Sequence, residues 1–244
     1  MDIMKKIAAK ARDNMNAEGV TIAFLGDSVT QGCFEIYKIN ETDVETVFDK
    51  NSAYHSYLSK ILAVLYPSVP VNIINAGVSG GSAPHGLGRL ERDVLCHKPD
   101  LTVVCFGLND TCRGIDNVSI YTDALDGIFA QLKASGSEVI FMTPNMMNTE
   151  ISCHIKDASI LETATITKGY QMDGTLEAYL EAAKKICKQH GILVCDCYAK
   201  WKALYENGAD VTELLANKIN HPTREMNWLF AVSLIETMIQ DTVI

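Results

Sequence analysis

Positive charge is scarce in this sequence. Its 244 residues carry 21 Lys and Arg against 30 Asp and Glu, a formal net charge of −9. The cations are scattered rather than gathered into a patch, which argues against nucleic acid or an anionic membrane as a partner. Long apolar runs are missing too. The nearest, "ILAVLYPSVPVNIINAG", is interrupted by Pro67, Pro70, Asn72 and Asn75 and cannot span a bilayer. The start, "MDIMKKIAAKARDNMNAEG", lacks the apolar stretch of a secretory signal. Eight Cys occur without a CxxC pair, so reduced thiols in the cytoplasm are expected. Cys195 and Cys197, with Cys187 and His190 nearby, do not have the spacing of a structural metal site, and no metal is expected. No stretch is of low complexity. No G-x-G-x-x-G follows an apolar run, which weakens a flavodoxin-like cofactor protein as a reading.

What is present is an alternation. Five nearly continuous apolar runs, at 20–26, 71–77, 100–107, 138–144 and 191–198, have the composition of strands covered on both faces. Between and after them, 52–66, 87–98, 119–135, 175–190 and 223–240 show helical spacing. In the third of these, Tyr121, Leu125, Ile128, Phe129 and Leu132 make one stripe. Strand and helix in alternation predict an α/β fold, a three-layer αβα sandwich around a parallel sheet of about five strands. With 48% hydrophobic and 21% charged residues and no linker, residues 1–244 read as one domain. Residues 33–51 and 145–173 are long for βα connections and are expected to overhang the carboxyl edge of the sheet.

The unusual loops all leave that edge. "GDS" follows the first run, "NAGVSGGSA" the second, "GLND" the third, and "NHPT" precedes the last helix. Ser28, Gly80, Asn109 and His221 can therefore converge. A serine hydroxyl needs a base to become a nucleophile, and His suits that task near neutrality. The Ser28 N–H, a Gly80 N–H and the Asn109 side-chain NH₂ could then hold a developing oxyanion. Each has a plainer alternative: Ser28 as a helix cap, Gly80 as a positive-φ turn residue, Asn109-Asp110 as a turn, His221 before Pro222 as a helix-entry residue.

Together the blocks resemble those of the GDSL, or SGNH, hydrolases. "FLGDSVTQG" is similar to the first block, with Ser28 as nucleophile, and "NAGVSGGSAPHGLGRL" to the second, which places the oxyanion glycine on Gly80, not Gly77. "FGLND" resembles the third, giving Asn109, and "NHP" the His block, giving His221. The resemblance covers almost the whole chain in order. It implies a flavodoxin-like αβα hydrolase acting on esters of carbohydrates, lipids or other small acyl compounds, without metal or organic cofactor.

One departure stands out. The family commonly has Asp three residues before the His, to orient the imidazole, yet this position is Lys218. Lysine has no acceptor for a ring N–H. The orienting acceptor is expected to be the Asn217 side chain, with Glu213, Asp210 or a backbone carbonyl as alternatives. Asp27 is expected to brace the nucleophile turn or, with His85 and Asp110, to face the substrate. His154 is a candidate for the pocket rim, and Tyr37 and Trp201 for sugar contacts; His55, His97 and His190 are ordinary helix residues. The resulting expectation is an esterase that removes short acyl groups, acetyl above all, from a small soluble substrate such as a sugar. The alternatives are a thioesterase or lysophospholipase of the same family and a non-catalytic carbohydrate-binding module.

Overall fold

Runs of Val, Ile, Leu and Phe with no polar face can be satisfied only by cover on both sides, and that is what they receive. In the computed structural model, which describes residues 1–40 and 43–240, the chain begins with α1 (Asp2–Arg12), β1 (Val20–Gly26), the one-turn α2 (Ser28–Gln31), β2 (Cys33–Lys38), β3 (Val44–Phe48) and α3 (Tyr54–Leu65). It continues through β4 (Val71–Gly77), α4 (Ala83–Asp93), β5 (Leu101–Cys105), the one-turn α5 (Leu108–Thr111), α6 (Val118–Ala134) and β6 (Glu138–Met142). The last elements are α7 (Ala158–Met172), α8 (Thr175–His190), β7 (Leu193–Cys195), α9 (Cys197–Glu206) and α10 (Asn227–Gln240).

Five strands form one sheet in the order β4-β1-β5-β6-β7, parallel throughout. Gly26 pairs with both Gly77 and Cys105, so β1, β4 and β5 end level and their connections leave from one rim. Alternation along β1 fills two cores. Ile22 and Phe24 pack with α1, α3 and α10, while Ala23 and Leu25 pack with α4, α6 and α8. Each such buried large side chain stabilises the fold by about 1.5–3 kcal/mol. Trp201, expected at a sugar site, is instead fully buried in the first core, 6.5 Å from the Phe230 ring. An indole this large in α9 is worth more as core than as surface.

Both long connections contain regular structure that periodicity did not announce. Residues of the first form the antiparallel hairpin β2–β3, with an irregular register between Cys33 and Ile36. The second contains α7, whose buried face is Ala164, Thr167 and Gln171, too polar to show as a stripe. Its start is marked by Asp157, which accepts from the N–H of Ser159 and Ile160 at 2.9 and 3.2 Å. Helix α1 is capped from a distance, the Glu138 carboxylate accepting from the Asp2 and Ile3 N–H groups. Among the described residues no helix is long and apolar enough to cross a membrane.

Candidate active site

Ser28 owes its position to a sharp exit from β1. Asp27 caps α2 by accepting the Val29 N–H at 3.0 Å, and Gly32 (φ +94°) closes the turn, its N–H donating to the Ser28 carbonyl at 3.0 Å. The Ser28 N–H, at the first helical position, has no partner within the helix. The end of β4 presses against this turn: a Cβ on Gly77 would lie 2.2 Å from the Gln31 nitrogen, so only glycine fits there.

His221 comes from a loop folded back on itself, with the Ala216 N–H donating to the His221 carbonyl at 2.7 Å and the Thr223 N–H to Leu214 at 2.9 Å. Asn217 braces the tip from within, while Asn145 Nδ2 and the Asn148 N–H hold it from outside, donating to the Asn220 and Ile219 carbonyls at 2.9 and 2.8 Å. Asn217 Oδ1 accepts from the N–H groups of Ile219, Asn220 and His221 at 3.0, 2.9 and 2.9 Å. The loop delivers the imidazole so that Nε2 lies 2.9 Å from Ser28 Oγ and Nδ1 lies 2.9 Å from the Phe34 carbonyl oxygen. A carbonyl can only accept, so the proton of a neutral ring resides on Nδ1 and Nε2 is left to receive the serine proton. Burial lowers the His221 pKa, opposed by the Phe34 hydrogen bond and the charge of Glu35, which favours that neutral ring.

The orienting acceptor is therefore the backbone carbonyl of Phe34, not the Asn217 side chain, whose oxygen is fully engaged by backbone. Lys218, in the left-handed region at φ +59°, turns its ammonium to Glu213 at 2.8 Å. Asp210 accepts the Glu213 N–H at 3.2 Å, so neither acid is turned to the imidazole. Arg224, which sequence reasoning did not single out, fastens the His loop to the hairpin. Its guanidinium forks onto Glu35 at 2.6 and 3.1 Å, reaches Asp49 at 3.2 Å and lies 4.3 Å over the Phe34 ring. No spacing rule points to it; only the tertiary meeting of residues 34 and 221 does.

The two other expected donors sit on loops bonded to the same rim. The Val78 N–H donates to the Gly26 carbonyl at 3.2 Å, docking the turn that carries Gly80 (φ +72°). Asn109 Nδ2 donates to the Gly81 carbonyl at 2.8 Å, which leaves its second amide hydrogen uncommitted by that bond. Beneath them Arg89, also missed from sequence, donates to the Ala76 and Gly26 carbonyls at 2.6 and 2.8 Å, tying the ends of β4 and β1.

Asp27 and Asp110, expected to brace the nucleophile turn or to face the substrate, are both buried to 1% exposure. Asp110 accepts the Ala83 N–H at 2.9 Å, joining the Asn109 turn to the start of α4. Burial pushes the Asp27 carboxyl up to about 7, helped by the charge of Asp110, and Asp110 itself up to about 6. His85 is exposed on the first turn of α4, its Nδ1 3.3 Å from Ser82 Oγ. Tyr37 is 55% exposed, and with His154, Asn217 and Lys218 it lines a groove of about 380 Å³. His55 is buried in α3, its pKa pushed down to about 4, and His190 meets Asp126 at 2.7 Å. Cys195 and Cys197 lie 3.7 Å apart in the first core while Cys187 packs in the second, on the other face of the sheet.

Comparison with known proteins agrees on the fold. A family model described as GDSL-like Lipase/Acylhydrolase matches residues 24–229. The chain is 27% identical over 135 residues to an acetylxylan esterase of Geobacillus stearothermophilus, covering 52% of this chain and 60% of that protein. It is 34% identical over 80 residues to an arylesterase of Vibrio mimicus, covering 33% of this chain and 40% of that protein. It thus spans less than two thirds of the length of these relatives. Among solved structures, an acetylxylan esterase from Geobacillus stearothermophilus matches with TM-score 0.66 at 19% identity, over 91% of this chain and 94% of the other. A two-domain esterase active on acetylated mannans matches with TM-score 0.65 at 17% identity, over 98% of this chain and 52% of the other.

Proposed function

Since the chain belongs to the GDSL-like lipase/acylhydrolase family, we propose that it is a serine ester hydrolase that removes acetyl groups from a carbohydrate, working through a Ser28–His221 pair rather than a triad. The observation that carries this reading is the line of contacts from Ser28 Oγ to His221 Nε2 and from Nδ1 to the Phe34 carbonyl, each 2.9 Å.

The reaction follows from that line. Ser28 Oγ attacks the acyl carbon as its proton passes to Nε2. The new oxyanion is held by the N–H groups of Ser28 and Gly80 and by the Asn109 amide, fixed donors of a kind each worth roughly 10²–10³ in rate. As the intermediate collapses, the imidazolium returns its proton to the departing alcohol oxygen. A water, deprotonated by the same Nε2, then attacks the acyl-serine and frees the acid and Ser28. Through both halves the imidazolium Nδ1–H donates to the uncharged Phe34 carbonyl, which supplies orientation without the negative charge of a carboxylate.

Acetyl and carbohydrate are favoured by the names of the relatives, an acetylxylan esterase and an esterase active on acetylated mannans. The eight free thiols favour a reducing compartment such as the cytoplasm. The test is hydrolysis of 4-nitrophenyl acetate. Wild type should turn it over, and Ser28→Ala and His221→Ala should each lose on the order of 10⁴-fold or more. Equal turnover in either variant would remove that residue from the chemistry.

A further inference from the structure

The Nδ1 contact that fixes the tautomer of His221 rests on a peptide that the hairpin ladder does not hold. Between the pairs Cys33–Phe48 and Ile36–Thr46, Phe34 and Glu35 of β2 stand opposite Val47 alone. A bulge of this kind re-aims the backbone at the extra residue, and here it sends the Phe34 carbonyl to the imidazole, 2.9 Å away. The same irregularity removes the pairing that would keep the carbonyl in place. An uncharged acceptor draws the ring only weakly, so its direction has to be set by its own surroundings.

One guanidinium grips that peptide from both ends. Arg224 Cζ lies 4.3 Å from the centre of the Phe34 ring, which is itself buried. Its Nη1 and Nη2 donate to the two carboxylate oxygens of Glu35, the next residue, at 2.6 and 3.1 Å. Those bonds hold the Glu35 carboxyl below the usual carboxylate range, so the fork joins two charges. Arg224 also stands three residues after His221, on the loop that delivers the ring. Its Nε donates to Asp49 at 3.2 Å, and the Asp49 N–H donates at 2.8 Å to the carbonyl of Gly32, which closes the nucleophile turn. The base, its acceptor and the nucleophile turn thus meet at a single side chain. The three charged side chains are a quarter to a third exposed, and ion pairs at such positions add little to stability. What the clamp fixes is direction.

We propose that Arg224 is a positioning residue for the base: by holding the Phe34–Glu35 peptide it aims the carbonyl at Nδ1 and so selects the tautomer whose Nε2 is free to take the serine proton. The proposal rests on the hydrolase reading above. Two readouts test it in the full chain: kcat and KM for 4-nitrophenyl acetate, and the ¹⁵N shifts of His221 in histidine-labelled protein at about pH 8, which report the ring nitrogen that carries the proton. Wild type should hold the proton on Nδ1. Arg224→Ala should populate both tautomers and lose about 10- to 100-fold in kcat with KM within about threefold, the scale of a slightly misplaced catalytic group. Arg224→Lys keeps the charge without the fork. It should lower Tm by no more than about 4 °C, yet show mixed tautomers and a kcat within about threefold of the alanine variant. Should the alanine variant not fold, the lysine variant carries the test alone. A single Nδ1–H tautomer in a folded variant overturns the proposal whatever its kcat, and so does a wild-type kcat. A wild type that leaves the ester intact sinks the hydrolase reading instead, and the tautomers of the variants still decide whether Arg224 sets the ring.

Discussion

Inside the loop that carries the base, one amide gathers three backbone donors, which makes Asn217→Ala a demanding perturbation. Asn217 Oδ1 accepts three backbone N–H groups, of which those of Ile219 and His221 are buried and that of Asn220 partly so. Truncation strands the two buried donors, each at about 1–3 kcal/mol, while water can reach the third. Allowing for relaxation, the loss is about 2–4 kcal/mol, which for a chain of this length lowers Tm on the order of 5–15 °C. Because one of the stranded groups is the N–H of His221, turnover of 4-nitrophenyl acetate, measured well below Tm, should fall on the order of tenfold or more, the scale of a misplaced catalytic group. Asn217→Asp keeps the accepting oxygens and should stay within about 1–2 kcal/mol of wild type. The refuting outcome is an alanine variant that melts with wild type and turns over at its rate, since the loop would then be held by something other than this side chain.

Other predictions follow from the same geometry. Lys218→Asp should alter turnover by no more than about threefold, because Nδ1 is already bonded to Phe34; a large gain would show that a carboxylate there reaches the ring, whose loss costs a true triad roughly 10⁴-fold. With burial holding the His221 pKa below its ordinary 6.5, the acid limb of kcat/KM should have its midpoint under pH 6.5, activity falling as pH drops and the base is protonated; a midpoint above 6.5 contradicts the neutral buried ring. Asp27 is raised from 3.8 to about 7 in the fold, so the native state binds the extra proton and the stability it provides is full below pH 4 and is lost as pH rises to 7. Asp27→Asn, which keeps an acceptor for the Val29 N–H, should then gain in Tm on wild type between pH 4 and pH 8; a pH-independent difference argues against a buried titrating carboxyl.

The sheet was legible because its strands are apolar on both faces: 20–26 and 71–77 coincide with β1 and β4, and 175–190 with α8. The outer strand β7 is short, and the surrounding apolar residues of 191–198 were spent on the start of α9. Helix α7 hid behind a buried face of Ala, Thr and Gln, and the hairpin behind an irregular register. The meeting of Ser28 and His221 could be expected from their shared rim. The Phe34 carbonyl was open only as one unnamed possibility, since a backbone acceptor has no side-chain signature. Arg224 and Arg89 act by tying distant backbone and loops together, a role that spacing along the chain does not reveal.

The central claim is that a hydroxyl near the start of the chain is activated by an imidazole near its end. Covalent labelling with a fluorophosphonate, followed by peptide mass mapping, tests it most directly. Wild type should carry one phosphonyl group, on Ser28, and His221→Ala should react slower by roughly 10³-fold or more, as expected when the base is removed. Labelling at another serine, or at the same rate without His221, would contradict the account.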